Sequence, residues 1–149
     1  MIGVSGVNFY VGDPGNIIAT QDCDLLAEPK PKNILKILQT LEREGYELES
    51  NGEPLGPADL WLANKIIQHG AVVKAKRGLL RVDVVLEGGK IPYVVWERGK
   101  RAFAVGGLKI YVGSLSHLIQ AKENSNRDKD RKFLALYKIQ LKEMLKAYK

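Results

Sequence analysis

A chain of 149 residues, 45% hydrophobic and 27% charged, is long enough to bury one substantial core and short for two ordinary domains, so a single domain over residues 1–149 is expected. No apolar run approaches the ~20 residues of a membrane helix, and one cysteine with two histidines leaves neither a disulfide framework nor a zinc cluster. The net charge of +6 is uneven: residues 122–149 carry nine Lys/Arg against four Asp/Glu, which suits an anionic partner as well as a solvated helix face.

The start, MIGVSGVNFYVG, has neither a basic leader nor a long apolar stretch, and a cytoplasmic location is the expectation. Residues 2–7, IGVSGV, are small and β-compatible, and the turn-rich Gly12-Asp13-Pro14-Gly15-Asn16 follows. CDLLA reads as a buried strand closed by Pro29 and Pro31. The spacing of Ile34, Ile37, Leu38 and Leu41 predicts a helix that Asn33 caps and Gly45 ends. YELES reads as a strand, and residues 58–69 as a short helix stopped by Gly70.

From Ala71 to Glu87 the pattern turns β, as AVVKAK and LLRVDVVLEGG on either side of Arg77-Gly78; YVVWER and LKIYVG add shorter β-like runs. Ser114 is placed to cap a further helix, and the chain breaks at ENSNR. A long amphipathic helix then carries Leu134, Tyr137, Leu141, Leu145 and Tyr148 on one stripe. The order predicts a mixed α/β fold of the α+β kind, with most strands before a helical part at about residues 114–149.

Within the IATQDCDLL run, Asp22 and Asp24 project from one face of a strand and Cys23 from the other. Two ionised carboxylates side by side repel each other, so something cationic should offset them. Magnesium takes oxygen ligands from one or two carboxylates and completes its shell with water and phosphates. A pair of such ions, roughly 3.5–4 Å apart, can hold both oxygens of a phosphoryl transfer. Asp83, flanked by valines in a second strand-like run, is a third candidate; if its strand neighbours that of Asp22 and Asp24, it could ligate an ion and take the proton of an attacking hydroxyl. Any one of these aspartates alone fits a solvated strand end or a pair with an arginine such as Arg81 better than a metal site; the three together are what raise the case for a metal.

Preceded by the step Ser5-Gly6 and by Thr20, these aspartates resemble, in order, the motif of the nucleotidyltransferase-fold superfamily, and within it the compact abortive-infection (AbiEii-like) toxin and related minimal nucleotidyltransferase group. VWERGKRAFAVGGLKIYVGSLSHLIQAKENSNRDKDRKFLAL is similar to that group's stretch in which a short strand leads to a helix ending in L-I-x-x-K, followed by R-x-K-D and another helix. The matching residues are Leu118, Ile119, Lys122, Arg127, Lys129 and Asp130. Most relatives have Gly-Gly or Gly-Ser at the glycine step, where this chain has Ser5-Gly6 after Gly3.

The resemblance implies a nucleotidyltransferase-like mixed β-sheet flanked by helices, and a magnesium-dependent enzyme that moves a nucleoside monophosphate from an NTP to an acceptor hydroxyl. It implies Asp22, Asp24 and Asp83 as ligands of two Mg2+ ions, with Asp83 also serving the acceptor. Ser5, Gly6, Thr20, Lys122, Arg127 and Asp130 would bind the nucleotide, Asp130 by orienting Lys122 or Arg127. Lys122 would neutralise the leaving pyrophosphate, and it shares a helical stripe with Leu115, Leu118 and Ile119, which aims it along the inward face. The acceptor would be RNA, such as a tRNA end, or a protein, and a cognate antitoxin would be a further partner. Two other readings stay open: a degenerate, non-catalytic binding module on the same fold, and a metal-dependent nuclease. No E-x-K or D-x-K follows Asp83 at the short spacing a nuclease would favour.

Overall fold

The computed structural model describes residues Met1–Tyr148, which fold as two compact units: Gln21–Glu87, and Met1–Thr20 with the chain from Gly88 onward. The architecture is mixed α+β. In chain order the elements are α1 (Gly3–Asn8), a 3-10 turn (Pro14–Asn16), β1 (Asp22–Leu26), α2 (Pro31–Arg43), β2 (Glu47–Ser50), β3 (Glu53–Pro54) and α3 (Leu60–His69). Then come β4 (Val73–Arg77), β5 (Leu80–Val85), α4 (Tyr93–Gly99), β6 (Arg101–Val105), β7 (Leu108–Val112), α5 (Leu115–Ser125), α6 (Asp128–Leu136) and α7 (Lys138–Ala147). Among the described residues no helix is long and apolar enough to cross a membrane.

The unit Gln21–Glu87 is a five-stranded sheet in the order β1-β5-β4-β2-β3. β1 and β5 run parallel, and the remaining pairs are antiparallel. Period-two alternation sorts its residues cleanly: Val73, Ala75, Val84 and Leu48 point to one face, where Ile34 and Leu38 of α2 and Ala63 and Ile66 of α3 close the core. Fully burying side chains of this size contributes roughly 1.5–3 kcal/mol for each Leu, Ile or Val. The charged residues are thereby left on the opposite face. Asp59 caps α3 by accepting from the Leu62 amide at 2.8 Å, and Gly70 ends it at φ 57°, a left-handed position that glycine takes without strain. α2 begins at Pro31, ahead of the predicted cap; the Asn33 side chain instead donates to the Glu28 carbonyl at 3.0 Å.

The second unit departs from the sequence expectations in four places. IGVSGV contributes a helix, α1, rather than a β-like run. Its small residues allow close approach to α5, since a Cβ on Gly6 would lie 3.2 Å from Leu118 Cδ2. The chain start is held by the Met1 amine donating to the Tyr111 carbonyl at 2.7 Å and by the Gly113 amide donating to the Met1 carbonyl at 3.0 Å. YVVWER forms α4, not a strand: it follows Pro92, and Trp96 buries its ring while donating Nε1–H to the Gly88 carbonyl at 3.1 Å. RAFAV, unassigned from sequence, is β6 and pairs with β7 across Gly106-Gly107. The long C-terminal helix is two helices, α6 and α7, because Tyr137 leaves helical geometry at φ −102°, ψ 13°.

Candidate functional site

β1 and β5 bring the acidic residues of the first unit together. Their parallel register sets Asp24 opposite Asp83 and Asp22 opposite Arg81. Residues paired across a ladder share a face, so Asp22, Asp24 and Asp83 all lie on the face opposite α2 and α3. Asp24 and Asp83 are half-buried, whereas Asp22 is exposed at the strand start. On the other side of β5, the antiparallel register sets Lys74 of β4 opposite Asp83, and Glu49 of β2 opposite Lys74. One row therefore reads Asp24, Asp83, Lys74, Glu49 across four strands. Lys76 leans along the sheet to pair with Glu49 at 3.1 Å, leaving the Lys74 and Arg81 positions as cationic neighbours of the Asp24–Asp83 pair.

The donor set suits a hard divalent cation: two half-buried carboxylates side by side, a third two residues along one strand, and no sulfur or imidazole on that face. Among the described residues, no group of three or more His, Cys, Asp and Glu could hold a metal ion, so Asp22, Asp24 and Asp83 share a face without forming a three-carboxylate cluster. A cation held by two carboxylates alone would leave most of its positions to water and substrate oxygens. Cys23 faces the core side. Burial pushes its thiol pKa up, and Asp24 and Asp83 push the same way, so it stays protonated and is a poor nucleophile.

In the other unit, α5 and α6 meet at a second charged group. Lys122, its side chain 15% exposed, places its ammonium 3.6 Å from Asp130 Oδ1 and 4.4 Å from the centre of the Phe133 ring. Asp130 is buried to 1% exposure and also receives Arg127: Nε at 2.7 Å, Nη2 at 3.2 Å, and the Arg127 backbone amide at 3.2 Å. The last bond is half of a capping box, which is why the chain turns out of α5 and into α6 there. Burial alone would raise the Asp130 carboxyl, but the side chain and amide of Arg127, with Lys122 behind them, hold it below the usual carboxylate range. Burial pulls Lys122 below the usual lysine value although Asp130 opposes that. Lys122 thus has Asp130 as a counter-charge inside its own unit.

The remaining predicted residues stand apart from these groups in kind. Ser5 and Gly6 lie within α1, and the Gly6 amide donates to the Ile2 carbonyl at 3.3 Å rather than into an open turn. Thr20 is exposed just before β1. Lys129 is exposed on α6. The residue that sequence reasoning missed is Lys74. Its outward direction was readable from the alternation of VVKAK, but its place beside Asp83 depends on a register that no local pattern encodes.

Comparison of the chain with models of protein families, with curated proteins and with solved structures finds no match.

Proposed function

We propose that the chain is a magnesium-dependent nucleotidyltransferase that transfers a nucleoside monophosphate from an NTP to an acceptor hydroxyl. The single observation that carries this reading is the register that sets Asp24 against Asp83 on parallel neighbouring strands, with Asp22 on the same face. A like-charged pair in a half-buried position is costly for the fold alone and useful for holding a divalent cation. Asp24 and Asp83 would hold the metal, with Asp22 adding an oxygen from the exposed end of β1.

Bound magnesium would supply charge neutralisation on the phosphate oxygens of the NTP. The chain's own residues account for the rest. The acceptor oxygen bonds to the α-phosphorus as the bond from that phosphorus to the α,β-bridging oxygen breaks; pyrophosphate leaves, and the acceptor proton passes to the Asp83 carboxylate. Lys74 occupies the position opposite Asp83 on β4. RNA and protein hydroxyls are the acceptor classes to screen.

The degenerate-module reading draws on a different observation: the Gly6 amide is already bonded within α1. Calorimetry with magnesium and each of the four NTPs separates the two. Wild-type protein that binds an NTP only with magnesium, and loses it as Asp24→Asn/Asp83→Asn, supports the enzyme; absence of binding to any NTP leaves the module.

A further inference from the structure

Two cations on the face of the Gln21–Glu87 sheet away from α2 and α3 stand beside the carboxylates without closing onto them. Lys74 lies between Asp83 and Glu49 in one cross-strand row, and Arg81 lies opposite Asp22 in the next. Both are exposed, and among the described residues neither makes an ion pair. The other cations of β4 are engaged: Lys76 pairs with Glu49 at 3.1 Å, and Arg77 donates to the Glu44 carbonyl at 2.8 Å and covers the Tyr46 ring. An exposed lysine or arginine without a partner is ordinary on a surface. What distinguishes these two is their position.

Neighbouring strands lie about 4.8 Å apart, and two residues along a strand span about 7 Å. Lys74 is therefore one strand beyond Asp83, and Arg81 is two residues before it on β5. The Asp24–Asp83 pair thus has a cation on each of two adjoining sides, with Asp22 beside Arg81. In the opposite direction along the strands the next positions on this face are Leu26 and Val85, which offer nothing to an anion. The carboxylates alone repel an anionic ligand. A divalent cation on Asp24 and Asp83 reverses that, and on this face the anion it carries then meets charge of the right sign only toward Lys74 and Arg81. A triphosphate bears more negative charge than one Mg2+ removes, and Lys122, the cation that the resemblance assigned to it, is already paired with Asp130.

We propose that Lys74 and Arg81 hold the β- and γ-phosphates of the metal-bound NTP and set a preference for triphosphate over monophosphate. Their role rests on the nucleotidyltransferase reading and adds to it the side chains that read the length of the phosphate chain. Arg81 offers a planar fork that two phosphate oxygens can share, and Lys74 a point charge. Calorimetry of the whole chain in magnesium, with each of the four NTPs and the matching NMP, tests the assignment. The variants are Lys74→Gln/Arg81→Gln and, as a comparator on the same face, Lys76→Gln, which removes a cation that already has Glu49. Thermal unfolding with and without magnesium accompanies each variant.

The expected result is that the double variant loses at least about tenfold in NTP affinity while NMP affinity is unchanged, and that Lys76→Gln keeps the wild-type preference. Magnesium should still raise the melting temperature of the double variant at least as much as that of the wild type, because removing two positive charges strengthens attraction of a cation to the carboxylates. That response also establishes that the variant is folded. A double variant that keeps the wild-type preference overturns the assignment and leaves the nucleotidyltransferase reading in place. Equal loss of NTP and NMP binding, or loss of the magnesium response, overturns it as well, since the two cations would then act on the site as a whole. Failure of the wild type to bind any NTP with magnesium removes both.

Discussion

Asp24 and Asp83 stand directly opposite one another on the parallel strands β1 and β5, on the sheet face away from α2 and α3. Like charges opposed on neighbouring strands cost the fold roughly 0.2–1 kcal/mol, and Lys74 across β5 offsets part of that. Millimolar magnesium should raise the melting temperature of the wild type more than that of Asp24→Asn or Asp83→Asn, because only the wild-type pair gains from a ligand that binds the native state. Thermal unfolding with and without magnesium reads the difference. A wild-type melting temperature indifferent to magnesium would remove the metal from this pair.

Lys74 should act on the same pair from the other side. Lys74→Met takes away the cation opposite Asp83 while keeping an unbranched side chain on an exposed strand position. The repulsion between Asp24 and Asp83 is then less screened, and metal-free stability should fall by up to about 0.5 kcal/mol. Asp83→Asn in the same background should restore it. The four proteins form a double-mutant cycle by urea unfolding, and additivity within error would show that Lys74 and Asp83 do not interact.

These registers mark the limit of what the residues disclosed beforehand. Alternation made Asp22 and Asp24 a same-face pair, and Gly70 marked the end of α3, because those signals are local. Whether β5 adjoins β1 is a long-range fact decided by the packing of α2 and α3 on one face. The failures have the same origin. Valine-rich YVVWER has strand propensity, yet burial of Trp96 against the Gly88 carbonyl is worth more than the propensity difference. IGVSGV is a poor helix by composition, and its place against Leu118 of α5 decides it. The break at Tyr137 has no Gly or Pro to announce it.

Gly89 should be intolerant of any side chain. It sits at φ 58°, and an added Cβ would come within 2.4 Å of the Ala121 backbone in α5. Both the left-handed conformation and the collision with a helix backbone oppose substitution, since neither can be relieved by a rotamer change. Gly89→Ala should cost more than about 2 kcal/mol by urea unfolding. The neighbouring bond from Asn124 Nδ2 to the Gly89 carbonyl, 2.8 Å long, would be lost with it. A variant within 0.5 kcal/mol of wild type would contradict the close approach.

Asp130 and Lys122 should respond asymmetrically to loss of charge. Asp130→Asn leaves the Lys122 ammonium and the Arg127 guanidinium without their shared carboxylate, and should cost about 3 kcal/mol, the low end for a buried pair because Arg127 is 58% exposed. Lys122→Met leaves Asp130 with Arg127, removes a desolvated ammonium and keeps a side chain that packs well on Phe133, so it should change stability by less than about 1 kcal/mol. The pH dependence follows from the shifts. The Asp130 pKa is depressed on folding, so its contribution is present above the unfolded carboxylate range and is lost as pH falls through the folded value; Asp130→Asn should lack this acid sensitivity. The Lys122 pKa is also depressed, so between its folded value and the ordinary lysine value the unfolded chain binds more protons and stability rises with pH; Lys122→Met should lack this alkaline gain. Urea unfolding from acid to alkaline pH distinguishes the two. If Lys122→Met is as stable as expected but loses magnesium-dependent NTP binding or turnover, the lysine serves the triphosphate; if NTP binding and turnover are unchanged, its role is confined to the Asp130 pair.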